Sequence, residues 1–499
     1  MTSYSTLLEK IHEINDLEKA TAVLGWDREV MMPKGGASAR IQQITTLRQM
    51  THSLFIADEI GELMAGAAAE VDGAGYDSQE ASLLRVLRRD YERARKLPSE
   101  FVARMSTISG QARVVWVKAR QDNDFASFRP WLEQVVGLAQ EMAELYGYQD
   151  EKYNALLDGY EPGIKTAEVR AIFSAVKGAL VSLRQAIVER GAAVDDALLH
   201  QTYDVEKQKA FAYHIAAAVG YDFERGHLGT AVHPFATSFS RDDVRITTRW
   251  NPNFLNESLF GTLHEAGHAL YEQGMHPDLS RTPLSRGASM GIHESQSRMM
   301  ENIVGRSRGF WRAHFPTLQS YFPDQLNSCS LDQFYQAINK VQPSLIRVEA
   351  DEVTYNLHII LRFELEQALL NGELAVADLP AAWNNKMNEL LGVTPPTDTL
   401  GVLQDVHWSA PSFGYFPTYA LGNLYAAQFA EAAQQQPAVR EGLANGQTAA
   451  LLAWLRENIH QHGHKLTPGE LITRATGQPL SPAAFVAYVN TKFGEIYAL

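Results

Sequence analysis

The sequence predicts an all-α, mostly helical protein with one small β-element, and three observations carry that prediction. Apolar residues recur at three- and four-residue spacing in most segments. One stretch, residues 233–252, alternates with a period of two instead. No Gly/Ser-rich linker separates the halves, so the 499 residues are read as a single helical domain, 1–499.

Each element follows from its local pattern. In the opening segment Leu7, Ile11, Ile14, Leu17, Thr21 and Leu24 keep the spacing of an amphipathic helix; Ile41, Ile44, Leu47 and Leu54 continue it in a second. Similar stretches lie at 130–148, 166–190, 352–370 and 444–459. The run AAQFAEAAQQQPAVREGLANGQTAA is interrupted by Pro437, which predicts two helices around a turn. Within 233–252, Val244, Ile246 and Thr248 alternate with Arg245, Thr247 and Arg249, and residues 240–243 supply turn chemistry. A β-hairpin is expected there, just before the next helix.

Composition excludes several classes. A net charge of -14 lacks the clustered Lys and Arg that phosphates require, so no nucleic-acid partner is expected. Cys329 is the only cysteine, which rules out an intrachain disulfide and a four-cysteine zinc site. The first twenty residues carry Glu9, Asp16 and Glu18 and no long apolar stretch, so no secretory signal is expected. The most apolar runs, such as AFAYHIAAAVG, are too short to span a bilayer. The expectation is a soluble cytoplasmic protein with no membrane partner.

Chemistry concentrates in GTLHEAGHAL, residues 261–270. A helix turns about 100° per residue, so His264 and His268 lie about 40° apart on the wheel and can aim at one ion. Glu265 sits about 100° from His264 and about 60° from His268, poorly placed as a ligand and well placed to reach a water on the metal. Pro252, Asn253 and Asn256 mark the start of this helix and Gly274 its end. Leu259, Leu263, Ala266 and Leu270 form an apolar stripe away from the histidines, and Gly267 leaves room for close packing or access. The plain alternative is two hydrogen-bonded histidines on a buried helix.

A hydrolytic zinc site needs a third protein ligand and one open position. GIHESQSRMMENIVG, residues 291–305, offers Glu294 in the first turn of a second helix, with Met299, Met300, Ile303 and Val304 on its apolar side. Glu272, Glu301 and His293 are its rivals on geometry.

Six ordered motifs resemble those of the carboxypeptidase Taq family of metallocarboxypeptidases. They are HPF (233–235), DVRIT (243–247), HEAGH (264–268), HESQSR (293–298), IRVEAD (346–351) and GVLQDVHW (401–408). WDREVMMP, residues 26–33, is similar as well. Ala410-Pro411 stand where the family pattern has His-Gly, a departure that touches a neighbouring groove contact and not the metal motif. The resemblance implies His264, His268 and Glu294 as ligands of one divalent metal per chain, Zn2+ with Co2+ or Mn2+ as alternatives. It implies Glu265 as general base. It also implies a neurolysin-like helical fold with a long groove and a small sheet by the metal, and a homodimer. The activity implied is release of single C-terminal amino acids from peptides, with broad specificity and C-terminal Pro disfavoured.

The remaining roles combine chemistry with the same resemblance, by which His407 and a Tyr about a dozen residues on look like the transition-state pair of the neurolysin-like enzymes. A metal lowers the pKa of its water to about 7, and Glu265 would take and later return the proton. His407, Tyr415 and Tyr419 are candidate donors to the oxyanion, the tyrosines having a core role as their plain alternative. Arg347 and Arg245 carry the planar fork suited to a terminal carboxylate; their plain alternatives are ion pairs with Asp351 and Asp243. His233, in HPF, joins them as a substrate-binding candidate. The rival functions are a helical metallo-oligopeptidase or dipeptidyl carboxypeptidase, and a non-catalytic peptide-binding protein.

Overall fold

A computed structural model describes residues 2–499, and the chain is helical almost throughout, with one three-stranded sheet. It divides into two compact units, each assembled from three segments. The first comprises residues up to 95, 195–338 and 429–479; the second comprises 96–194, 339–428 and 480–499.

The first unit opens with the helix Ser3–Val30, whose N-terminus is capped by the Thr2 side chain accepting from the Ser5 amide. Leu7, Ile11 and Ile14 form its buried stripe, packed in one cluster with Ile60, Met64, Leu83 and Leu87. The second expected helix is present as Ala37–Phe55, but it buries only Ile44 and Thr51, and Ile41 is 55% exposed. The expected hairpin is also present. β2 (Ala236–Ser240) and β3 (Asp243–Thr248) run antiparallel with a register shift between Ser238 and Ser240. A further strand, β1 (Leu228–Thr230), pairs with β3 in parallel and makes β3 central. Three residues are too few to leave a period in the sequence. Val244, Ile246, Thr247 and Thr248 are all buried, so β3 is covered on both faces near its end.

The next helix, Leu255–Gly274, buries Leu259, Leu263, Ala266 and Leu270 as the spacing requires. It packs on the helix Met290–Arg298, which Ser289 caps by accepting from the Ile292 amide at 2.9 Å. Beyond Arg298 the winding widens into a π-helix, Met299–Val304, closed by the Gly305 amide donating to the Met300 carbonyl at 2.9 Å. The wider turn alters the expected apolar side: Met299, Met300 and Val304 are buried, Ile303 is only partly so, and Asn302 turns inward.

Gly267 sets how closely these two helices approach. A Cβ there would lie 2.6 Å from Ser297 Cα and closer still to the Gln296 carbonyl oxygen. Backbone therefore meets backbone at this point, and no side chain can intervene.

The second unit is organised on Tyr355–Leu370, a helix buried along nearly its whole length. Phe125–Tyr146, Thr166–Arg190 and Leu379–Leu391 pack against it. Thr166–Arg190 is long and apolar enough to cross a membrane by length and composition, longer than the runs singled out in the sequence. Its buried residues Val169, Phe173, Val176, Leu180, Leu183 and Ile187 keep three- and four-residue spacing, which is the stripe of a helix facing a protein core. The Ala/Gln-rich run forms two helices, Pro417–Ala433 and, within the first unit, Pro437–Ala444, with Pro437 at the first helical position of the latter.

Gly267→Ala is expected to destabilise the protein by about 1–3 kcal/mol through overpacking. Gly178→Ala, in the Thr166–Arg190 helix with nothing within 4 Å of the added methyl, is expected to be neutral or stabilising. Urea unfolding of the two variants side by side checks this; equal midpoints would contradict the close approach.

Candidate metal centre

Three side chains of the first unit converge. His264 and His268 lie one turn apart on Leu255–Gly274, and Glu294 lies on Met290–Arg298, one turn past Ser289. Glu294 Oε2 is 3.7 Å from His264 Nε2 and 3.4 Å from His268 Nε2. One ligand atom from each residue falls within 4.8 Å of the others. Donors about 2.0–2.2 Å from a tetrahedral ion stand roughly 3.3–3.6 Å apart, so the two Glu294 distances suit a single cation.

The groups behind these atoms fix their orientation. His264 Nδ1 is 2.8 Å from Glu301 Oε2, so Nδ1–H donates to the carboxylate and Nε2 is turned toward the cluster. His268 Nδ1 faces His293 Nδ1 at 2.7 Å, and His293 Nε2 faces Glu272 Oε1 at 2.9 Å. Arg298 Nε donates to Glu294 Oε1 at 2.7 Å, which leaves Oε2 toward the histidines, and its Nη1 donates to Glu301 at 3.1 Å. The three rivals for the third position thus lie on the far side of the imidazoles. Arg298 was not singled out in the sequence, although its i+4 spacing from Glu294 was there to be read.

The electrostatics are those of a cation site. Burial opposes the charge on His264, but Glu294, Glu301 and Glu265 outweigh it and raise its pKa to about 9. Burial holds His268 down to about 4, with the neighbouring His293 adding to the effect. Burial works against ionised Glu294 too, yet Arg298 and His264 draw it well below the usual carboxylate range. Glu265 is 6% exposed, and burial lifts it to about 7 despite His264. Its carboxylate is not part of the hydrogen-bond chains that fix the histidines. Three buried or partly buried carboxylates around two imidazoles, backed by one arginine, are a donor set that a divalent cation fits.

The other candidates of the first unit lie near the sheet. Arg245, on β3, donates from Nε and Nη2 to Asp243, both at 2.8 Å, the ion pair considered as its plain alternative. Its guanidinium also stands 4.6 Å over the Trp26 ring. His233 is exposed just before β2.

Within the second unit, four candidates gather around a buried network. Arg347 does not pair with Asp351, whose carboxylate instead accepts from the Gln342, Val353 and Thr354 amides. Its Nε and Nη2 donate to Asp405 Oδ1 at 3.2 and 3.1 Å, its Nη1 to Tyr355 at 3.2 Å, and its plane lies 4.9 Å over Tyr419. His407 stacks on Tyr415 with centroids 5.4 Å apart, and Tyr419 stands edge-on to both. Burial lowers His407 to about 4, so its ring is neutral near pH 7. The segment carrying these groups is tied down by a polar stripe on Tyr355–Leu370. Arg362 Nε donates to Asp405 Oδ2 at 2.7 Å. Glu366 accepts from Trp408 Nε1 at 2.9 Å, Tyr153 at 2.7 Å and the Gly414 amide at 3.1 Å. Gly414 is required at that point: its φ is +91°, and a Cβ would lie 2.8 Å from the Leu157 amide nitrogen.

Asp405→Asn would leave two buried guanidiniums without a counter-charge, and a loss of about 3–5 kcal/mol is expected. Burial alone would raise the Asp405 pKa, but Arg362 and Arg347 pull it well below the usual range. Its stabilisation is therefore complete above the ordinary aspartate pKa of about 3.9 and is lost as pH falls through the depressed folded value. Urea unfolding from pH 6 down to pH 3 should show the gap between wild type and variant largely maintained; a gap already closed at pH 5 would contradict the depressed pKa.

Comparison with known proteins bears on the whole chain. Residues 6–493 match the family described as carboxypeptidase Taq (M32) metallopeptidase. The chain is 42% identical to thermostable carboxypeptidase 1 of Thermus thermophilus, over 99% of each protein. It is 38% identical to carboxypeptidase 1 of Bacillus subtilis, over 98% of this chain and 97% of that one. The crystal structure of the M32 carboxypeptidase from Deinococcus radiodurans superposes with a TM-score of 0.96 at 39% identity, covering 100% of both chains. Matches that run over nearly the whole chain settle its membership: the chain belongs to the carboxypeptidase Taq (M32) family of metallopeptidases.

Proposed function

We propose that this protein is a metal-dependent carboxypeptidase that removes single amino acids from the C-termini of peptides, with broad specificity and C-terminal Pro disfavoured. The observation that carries the reading is the convergence of His264 Nε2, His268 Nε2 and Glu294 Oε2 beside a buried Glu265, in a chain of this family.

In this reading His264, His268 and Glu294 hold one divalent ion. Zinc is favoured by two imidazoles and a carboxylate, with cobalt or manganese as alternatives. The ion, when bound, supplies a Lewis acid for the scissile carbonyl and acidifies water. Glu265 accepts the proton of the attacking water and returns it to the departing amine nitrogen. Glu301 and Arg298 keep His264 and Glu294 in the orientation that binding needs. His407 and Tyr419, with Tyr415, are assigned as donors to the developing oxyanion, and a neutral His407 has an N–H to give. Arg347 is assigned to the terminal carboxylate of the substrate. Its fork is already levelled by Asp405 and Tyr355, so it is preorganised and costs little entropy to use. Arg245 and His233 are assigned to substrate contacts near the sheet. The same reading takes the protein as a homodimer acting in the cytoplasm, a compartment in keeping with a single cysteine.

Glu265→Gln is expected to lower turnover by about 10²–10⁴-fold while the protein retains its metal, checked by kinetics alongside metal analysis. Chelation should abolish hydrolysis of an N-blocked peptide, and re-addition of the metal should restore it. The products should be free C-terminal amino acids released one at a time; internal fragments or dipeptides would defeat the proposal. Arg347→Met should raise KM far more than it lowers kcat, and an unchanged KM would remove Arg347 from its role.

A further inference from the structure

The two histidines on Leu255–Gly274 are anchored in different ways. His264 meets a carboxylate directly, through Glu301 at 2.8 Å. His268 meets another imidazole. Its Nδ1 is 2.7 Å from Nδ1 of His293, and Nε2 of His293 is 2.9 Å from Glu272 Oε1. Two ring nitrogens facing each other at that distance share one proton. With the Nε2 lone pair of His268 given to a cation, its Nδ1 carries the hydrogen and donates it to His293. The acceptor Nδ1 of His293 then obliges that ring to carry its own hydrogen on Nε2, where it donates to Glu272. The chain has a direction, and both its ends are fixed by the tautomers.

Packing holds His293 in this pose. Its ring lies 4.7 Å from His268 and 5.2 Å from Tyr271, and the Tyr271 hydroxyl accepts from the Ala288 amide at 3.1 Å. On another side, a Cβ on Gly287 would lie 2.9 Å from His293 Cδ2, so the backbone passes close against the ring edge. Glu272 sits one turn beyond His268 on the same helix, so the path from Glu272 to His293 to His268 clamps the Leu255–Gly274 helix to Met290–Arg298 beside the metal cluster.

We propose that His293 is a positioning residue for the metal centre, an imidazole that fixes the tautomer and ring plane of His268 and links it to Glu272. This inference rests on His264, His268 and Glu294 being the metal ligands. What position 293 must supply is an acceptor opposite His268 Nδ1, and charge there is not required.

The test loads metal-free enzyme with cobalt(II). Affinity is read by competition with a chromophoric chelator and coordination by visible absorption, with thermal melting of the metal-free protein as the measure of folding. His293→Leu is expected to weaken cobalt(II) binding by roughly 10–100-fold at temperatures where the metal-free variant is still fully folded. His293→Asn, whose Oδ1 takes the place of the acceptor nitrogen, should recover most of that loss, and Glu272→Gln should give a smaller one. Unchanged affinity and spectrum in His293→Leu overturn the proposal. So does an equal loss in the Leu and Asn variants, which a packing role alone would produce. Should His293→Leu fail to fold, unchanged affinity in Glu272→Gln overturns it instead. Wild-type cobalt(II) binding that survives His268→Ala overturns the ligand assignment itself, and is distinguishable from the other results.

Discussion

Charge buried beside charge is the constraint on which the rest of the first unit depends. Glu265 and Glu294 are each 6% exposed, and Glu301 and Glu272 lie close by in partly buried positions. Carboxylates in such a place are tolerated only where cations and hydrogen-bond donors compensate them. Arg298 serves Glu294 and Glu301 at once, His264 Nδ1 serves Glu301 as well, and the outward nitrogen of His268 reaches Glu272 through His293. Each compensating contact uses the side of the imidazole or carboxylate facing away from the cluster. The Nε2 atoms and Glu294 Oε2 are what remain, pointed at one another.

That arrangement needs two helices at backbone contact, which is the work of Gly267. The H-E-x-x-H spacing brings two imidazoles to one side of a helix, but a third ligand from a neighbouring helix arrives only if the axes are close. A side chain at 267 would push Met290–Arg298 outward at Ser297, three residues from Glu294. The π-helical turn that follows Arg298 acts at the other end. It rewinds the chain just where Glu301 turns back to His264, consistent with the tendency of such turns to occur at functional sites.

The second unit solves a related problem by a different route. His358, Arg362 and Glu366 recur every four residues on a helix buried along nearly its whole length, and such a stripe could not be buried unpaired. Arg362 and Glu366 are satisfied by the segment 405–414, which is thereby anchored at Asp405, Trp408 and Gly414. His407 and Tyr415 lie between or just beyond those anchors. The rigidity of this short segment, which has little regular structure of its own, comes from polar contacts to a buried helix.

Much of this was legible in the residues alone. The helical fold, the hairpin before the H-E-x-x-H helix and the split at Pro437 follow from periodicities and from proline chemistry that act over a few residues. The pairing of His264 with His268 follows from helical geometry, which is equally local. Which of Glu294, Glu272, Glu301 and His293 would meet the two histidines was not local, because it depends on the distance between two helices and on a change of winding at Met299 that no spacing announces. The same holds for Arg347: the sequence offered Asp351 at i+4, whereas the fold brings Asp405 from 58 residues away to the guanidinium. A one-dimensional pattern determines which side of an element a residue occupies. Only the packed chain decides what stands opposite, because that is fixed by burial and charge compensation among segments far apart in sequence.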